Sequence, residues 1–268
     1  MRTWNLVHGN AKPPERRDFL EEMVRLVSAD HPGVVLLQEV PAWALAYLDD
    51  WSGMVAAGDV AARPSIGPFP STAGIGHALT SIHHGALRSA FSGQANAVLV
   101  APELLVLDHE HLVLNPRGFR RREARAFGLG LVARLAWAGE RRVCQALRIG
   151  LTDSRTLLVG NLHATSYPPD ERLAAAELLR AATWLDGLAR EEEPTILGGD
   201  LNQRVETSQV LRDLTGSEWG YSQPGAGIDH VLVRNAEPAG PPQRWPEERR
   251  LVDGHLLSDH APVDVVLP

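Results

Sequence analysis

"TILGGDLN", residues 195–202, sets a short apolar run and two glycines before an acid and an amide two positions apart. Side chains two apart on an extended chain point the same way, so Asp200 and Asn202 can face one ligand together. The glycine pair predicts a sharp backbone turn that presents Asp200 as acceptor and Asn202 as donor to one substrate atom or water. Read alone, the stretch is equally well a turn whose Asp and Asn satisfy local backbone groups. The rest of the chain decides between the two.

The same arrangement recurs. Asn5 follows "RTW", Gln38 and Glu39 follow "VVLL", and Asn161 and His163 follow "LLVG". Asp229 and His230 follow "GI", while Ser258, Asp259 and His260 precede the last apolar run. Six such groups predict several strands delivering polar ends to one rim, where a site can rest on rigid elements. Asn161 and His163 share a face. Asp229 and His230 would project oppositely, with Asp229 the one expected at the site. Asp259 and His260 converge only if "LSDHAP" is a loop, which Pro262 favours.

Between these groups the chain alternates strand and helix patterns. "PPERRDFLEEMVRLVSAD" reads as a helix led in by prolines and acids, and "PPDERLAAAELLRAATWLDGLAREEE" as a second. "VVLLQEV" reads as a strand buried on both faces. "ANAVLVAP", "LLVLDHEHLVL", "FGLGLVARLAWA", "RRVCQALRIGL" and "RTLLVGNLHAT" read as five strands in series, which suggests antiparallel sheet. Residues 61–94 carry Gly, Pro, Ser and His without a period and read as a long loop.

With 268 residues, 44% of them hydrophobic, the chain can bury a sizeable core. The apolar runs span its whole length with no dividing linker or internal repeat, so one domain over residues 1–268 is expected. A net charge of -7 argues against coating nucleic acid by charge alone, so any polyanion must be held locally. Cys144 has no internal partner for a disulfide and reads as a small apolar strand residue. No secretory leader and no apolar stretch of about 18 residues is present, so the expectation is a soluble, cytoplasmic protein.

In order along the chain, "WNL", "LLQEV", "GNLHAT", "GGDLN", "IDHVLV" and "LSDHAPV" resemble the motifs of the endonuclease/exonuclease/phosphatase superfamily. That superfamily includes deoxyribonuclease-I-like nucleases, deadenylases, sphingomyelinases and inositol polyphosphate phosphatases. Each fragment is weak, but the ordered set runs from Asn5 to His260. The resemblance implies an α/β (α+β) fold, a four-layer sandwich of two mixed, largely antiparallel β-sheets flanked by helices. It implies a phosphodiester hydrolase dependent on Mg2+, with Mn2+ as a substitute. Glu39 looks like the principal metal ligand, helped by Asn5 and Asp259, which suits a hard cation that needs only one or two carboxylates. Asp200 looks like the group that orients and deprotonates the attacking water, and Asn202 like a holder of that water or a phosphate oxygen. His260, fixed by Asp229, and His163 look like the histidines that face the phosphate, with Arg142 and Asn161 as further phosphate contacts. Nucleic acid, DNA or RNA, is the first substrate implied and a small or lipid phosphoester the second. No obligate protein partner is expected.

Two features lie outside this pattern. "GIGHALTSIHHGALRSAF" offers His77, His83, His84 and Arg88 without a match to a motif, and it shows no carboxylate partner for His163. "PRGFRRREAR" crowds Arg117, Arg120, Arg121, Arg122 and Arg125 into a stretch that reads either as a solvated hairpin end or as a grip on flanking phosphates.

Overall fold

Alternation within single strands builds the core. In the computed structural model, which describes residues 1–66, 69–82, 84, 92–151 and 155–268, Val34 and Leu36 face one layer of apolar side chains, and Val35 and Leu37 face another. The strands involved are β1 (Arg2–Asn5), β2 (Val34–Val40), β3 (Val55–Ala62), β4 (Gln94–Val100), β5 (Leu105–Val113) and β6 (Val143–Gly150). They continue with β7 (Thr156–His163), β8 (Thr195–Asp200), β9 (Asp229–Arg234), β10 (Gln243–Arg244) and β11 (Val263–Asp264). One sheet has the order β10-β11-β1-β2-β4-β3 and the other β9-β8-β7-β6-β5. Only β1–β2 and β7–β8 are parallel, so both sheets are mixed and largely antiparallel.

Val34, Leu36, Val98, Leu147, Ile149, Val159, Ile196 and Val231 form the layer between the sheets. Around the sheets lie helices α1 (Leu20–Ser28), α2 (Leu48–Ser52), α3 (Ala73–Ile82), α4 (Arg117–Ala126), α5 (Leu131–Gly139), α6 (Arg172–Leu188) and α7 (Gln209–Leu214). α1 buries Leu20, Met23, Val24 and Val27, one stripe at helical spacing, against Val35, Leu37 and Leu99. On the other side α6 packs Leu178, Ala181, Ala182 and Leu185 against Leu158, Leu162 and Leu197. The result is the expected four-layer sandwich. Cys144 is buried within it, and burial pushes its thiol pKa up.

The structure departs from the sequence reading in four places. "FGLGLVARLAWA" is no strand: α5 occupies Leu131–Gly139, a run of helix-favouring Ala, Leu and Arg that buries only Trp137 among its nine residues. The first helix starts at Leu20, seven residues after Pro13, because the Phe19 N–H bonds the Gly9 carbonyl and holds the approach outside the helix. Residues 61–94 contain α3 and a two-stranded ribbon, Ser65–Ile66 with Phe69–Pro70, rather than only loop. Finally, Gly198 and Gly199 make no turn. They lie inside β8, where a Cβ on Gly198 would stand 2.7 Å from Leu36 Cδ1 of the facing sheet. A Cβ on Gly199 would stand 1.9 Å from the Leu162 carbonyl oxygen, and its φ of 132° is open to glycine alone. The glycines let the layers close beside Asp200.

A candidate active site at one edge of the sandwich

Strand parity carries the polar groups to one edge. β7 sends Val159, Asn161 and His163 to the inter-sheet side, and β8 sends Ile196, Gly198 and Asp200 there. Asn161 and His163 do share a face, yet only His163 reaches the rim. Asn161 is fully buried, donating to the Leu37 and Ala97 carbonyls and to Gln145, and accepting from Gln38. With its amide saturated it has nothing to offer a phosphate, and it clamps the two sheets together instead. Asp229 faces the rim and His230 faces away, where its Nε2 bonds the Gln203 carbonyl.

Glu39 arrives by a different device. Simple alternation would point it with Val35 and Leu37 toward α1. Between Leu37 and Val40, however, β2 advances three residues while β4 advances two, from Ala97 to Ala95. The bulge takes up the surplus residue at Glu39, whose φ is 52°, and swings the carboxylate to the edge. Asn202 at 48° and Ser258 at 59° are held in the same sparsely populated region. Backbone strain of this kind gathers where the fold over-determines a geometry.

The side chains meet. The Asn5 amide nitrogen donates to Asp200 Oδ2 at 2.9 Å and to Glu39 Oε1 at 3.3 Å. His163 Nε2 lies 3.5 Å from Asp200 and 3.8 Å from Glu39, and His260 Nε2 lies 3.9 Å from Asp200. His260 Nδ1 bonds both oxygens of Asp229 at 2.9 Å. A cleft of about 540 Å³ opens here, lined by His8, Glu39, Arg63, Arg142, Asp259 and His260 among others. A larger apolar groove of about 670 Å³ between α4 and α6 gathers no such cluster.

Charge states follow from the neighbours. Burial, then the Asp229 carboxylate, pushes the Asp200 pKa up to about 7. For His260 burial acts against the cation, but the Asp229 carboxylate outweighs it and raises the pKa to about 9. His163 is driven the other way, well below its ordinary value, by burial and then by the Arg142 guanidinium. Arg142 can only donate, so His163 Nδ1 accepts from its Nη1 at 2.9 Å and the ring proton sits on Nε2, facing the carboxylates.

Several expected residues have other duties. Arg142 is buried and tied to Glu140 and His163, so it stands where a carboxylate partner for His163 was sought. Gln94 Nε2 bonds the same His163 nitrogen. The Asn202 amide donates to the Ala164 carbonyl, and its backbone N–H bonds Asp200 Oδ1, so the turn after β8 is the locally satisfied one. Asp259 is exposed and reaches His260 Nε2 only at 4.0 Å. His77 stacks on Trp43 at 3.9 Å, His84 bonds the His8 carbonyl, and His83 and Arg88 lie outside the described residues.

The sequence reading missed three residues. His8, three positions beyond Asn5, places Nε2 3.4 Å from Glu39 Oε2. Gln94 reaches His163 from the far sheet. Arg250, buried, donates to the Leu257, Ser258 and His260 carbonyls and so holds the loop that carries His260. Only His8 had a signal, as a histidine just past a strand that ends in a site residue.

The sequence pattern of the Endonuclease/Exonuclease/phosphatase family matches residues 3–260. The chain belongs to that family. The endonuclease/exonuclease/phosphatase fold is shared with a Bacteroides vulgatus family member at a TM-score of 0.67 and 14% identity, covering 100% of this chain and 97% of that one. The human Nocturnin catalytic domain, solved with a bound sulfate anion, aligns at 0.64 and 14%, covering 100% and 93%. TDP2 from Caenorhabditis elegans aligns at 0.60 and 14%, covering 100% and 74%. No curated protein matches the chain. Endonuclease/exonuclease/phosphatase enzymes are generally hydrolytic phosphoesterases that use divalent metals. The donors here fit such an ion, since Glu39 offers a hard carboxylate beside the Asn5 amide, whose Oδ1 accepts from the Val7 N–H, in a cleft where burial and then the Asp229 carboxylate push the neighbouring Asp200 up to about 7. Asp200, Asp229 and His260 also lie within 4.8 Å of one another, but Asp229 spends both oxygens on His260. Among the described residues no helix is long and apolar enough to cross a membrane.

Proposed function

We propose that the chain is a divalent-metal phosphodiester hydrolase, in the first place a nuclease acting on DNA or RNA by direct attack of water. The observation that carries the reading is the placement 3.9 Å apart of two groups both tuned upward, a carboxyl raised to about 7 and an imidazole raised to about 9. At neutral pH Asp200 can take a proton from water while His260 remains a cation able to face the charge that builds on phosphorus. Glu39 and Asn5, with Asp259 across the cleft, would hold Mg2+ or Mn2+, which would neutralise phosphate charge when bound.

The chain's own groups do the rest. Asp229 fixes the His260 ring and keeps its proton on. His163 offers Nε2–H as a second, neutral donor, with Arg142 and Gln94 setting its tautomer. The Asn202 backbone N–H orients Asp200. No covalent intermediate is needed, because positioning and charge stabilisation account for the chemistry.

The test is hydrolysis of bis(p-nitrophenyl) phosphate and of a labelled oligonucleotide with Mg2+ or Mn2+, and after chelation. Asp200→Asn should lower kcat by about 10²- to 10⁴-fold without loss of fold. Turnover retained within a few-fold would remove Asp200 from the role given to it. Action on small or lipid phosphoesters alone would replace the nuclease reading with the second one.

A further inference from the structure

The charge on this chain is unevenly placed. Its net charge is -7, yet residues 115–142 hold eight arginines and two glutamates. Among the described residues most of these arginines make no ion pair. Among the described residues Arg122 pairs with Glu123 and Arg142 with Glu140, while Arg117, Arg120, Arg121, Arg125, Arg134 and Arg141 have no carboxylate within 4.0 Å. Five of those six, all but Arg141, line one groove of about 480 Å³ between α4 and α5, floored by Ala124, Trp137 and Ala138. A folded protein with acids to spare has left these cations facing one another. The Arg120 pKa is lowered by burial and then by Arg141, with Glu177 opposing and Arg117 adding to the shift.

The position of the groove gives the cluster its meaning. β5 and β6 pair antiparallel up to Val113 and Val143, and the segment between them, in place of a tight hairpin, makes the α4–α5 excursion. β6 also pairs Cys144 with Leu162, next to His163, so the excursion leaves the sheet at the edge where the cleft lies. Asn115 joins the two. It accepts from the Arg142 N–H and donates to the Glu140 carbonyl, and its own carbonyl accepts from Arg120. Arg141 and Arg142 line the cleft itself.

We infer that the α4–α5 groove is a subsite for phosphates flanking the one cleaved, so that the substrate is a polynucleotide extending from the cleft across these helices. The inference rests on the hydrolase reading above and names its substrate class. Paired cations would not need a ligand, but convergent unpaired ones beside a phosphodiester site match a chain of evenly spaced anions. An anionic bilayer is the competing partner, because Leu131, Val132 and Leu135 are exposed on α5. The two sets adjoin on α5, Leu131 standing one turn before Arg134, but the arginine groove runs on through Asn115 and Arg141 to the cleft, a path that a polynucleotide would follow and a bilayer would not.

The test measures binding separately from turnover. Fluorescent single-stranded and duplex oligonucleotides are titrated with wild type and with Arg117→Glu/Arg121→Glu/Arg125→Glu in chelator over a range of salt. Phosphatidylserine vesicles are titrated in parallel, and bis(p-nitrophenyl) phosphate hydrolysis with metal is assayed on wild type alone. The triple variant should weaken oligonucleotide binding by about tenfold or more and flatten the salt dependence by about two counterions, with Arg→Lys at the same three positions restoring most of it. Arg121→Glu alone gives a smaller loss of the same kind if the triple variant does not fold. Equal affinity and equal salt dependence in variant and wild type would overturn the subsite, as would binding to vesicles and not to oligonucleotides. If wild type hydrolyses the small ester while either result holds, the hydrolase reading stands and this inference falls. If oligonucleotides bind as stated without metal-dependent hydrolysis of any ester, the groove is a polynucleotide site but the hydrolase reading falls, and with it the subsite's place beside a cleaved phosphate.

Discussion

After burial, which alone acts most strongly on Asp200, Asp229 is the residue that sets the proton affinities at the edge, since it raises Asp200 by repulsion and His260 by attraction. Activity should therefore rise as pH approaches about 7, or lower where a cation sits beside Asp200, and fall as pH passes about 9 and His260 loses its proton. Asp229→Asn should draw the alkaline limb of the kcat/KM profile down from about 9 toward the ordinary histidine value, a shift that a purely structural role for Asp229 would not produce. His163 adds no acidic limb, being neutral through this range. Much at this scale was legible, because Asn5, Glu39, His163, Asp200, Asp229 and His260 stand at strand ends in fixed order. Arg250 and Gln94 were not, because each acts on a site residue distant in sequence. Asn161 was misjudged because parity assigns a face but not a depth along the strand.

At the scale of elements, β8 and its two neighbours set the spacing of the edge. Gly199→Ala should cost about 3 kcal/mol or more, since the added methyl meets a backbone oxygen at a φ closed to alanine. Gly198→Ala meets the movable end of Leu36 and should cost less, about 1–3 kcal/mol, by overpacking. Denaturant midpoints of the two variants check the order. Asn161→Leu should exceed about 3 kcal/mol, because two carbonyls and two glutamine side chains lose their partner in a dry layer. The strands "VVLL", "LLVG" and "TIL" were readable because sheet burial on both faces leaves an unbroken apolar run. Applied to "LVARLAWAG" the same rule misled, since a short apolar run has no period of its own and Ala, Leu and Arg favour a helix.

For the whole molecule, the ends of the chain are tied by one guanidinium. Arg2 is buried and bonds Asp30, Asp264 and the Val27 carbonyl, joining β1, the end of α1 and β11. Arg2→Ala should cost about 3–5 kcal/mol. The edge itself should make the metal-free fold sensitive to alkali. His260 has a folded pKa of about 9 against an ordinary 6.5, so its stabilisation is complete below 6.5 and disappears as pH passes 9. Thermal melts in chelator should show that loss as a difference between wild type and His260→Asn between pH 7 and 9.5. Mg2+ should raise the melting temperature more at pH 8, where Asp200 is ionised, than at pH 5, where it is not. The surplus residue in β2 sets a different kind of limit. A chain one residue shorter between Leu37 and Val40 would still pair its strands and still bury its leucines. Its carboxylate would be deleted outright or moved into Gln38's place against Asn161, sealed from solvent, so a single lost codon separates an edge that carries Glu39 from one that does not.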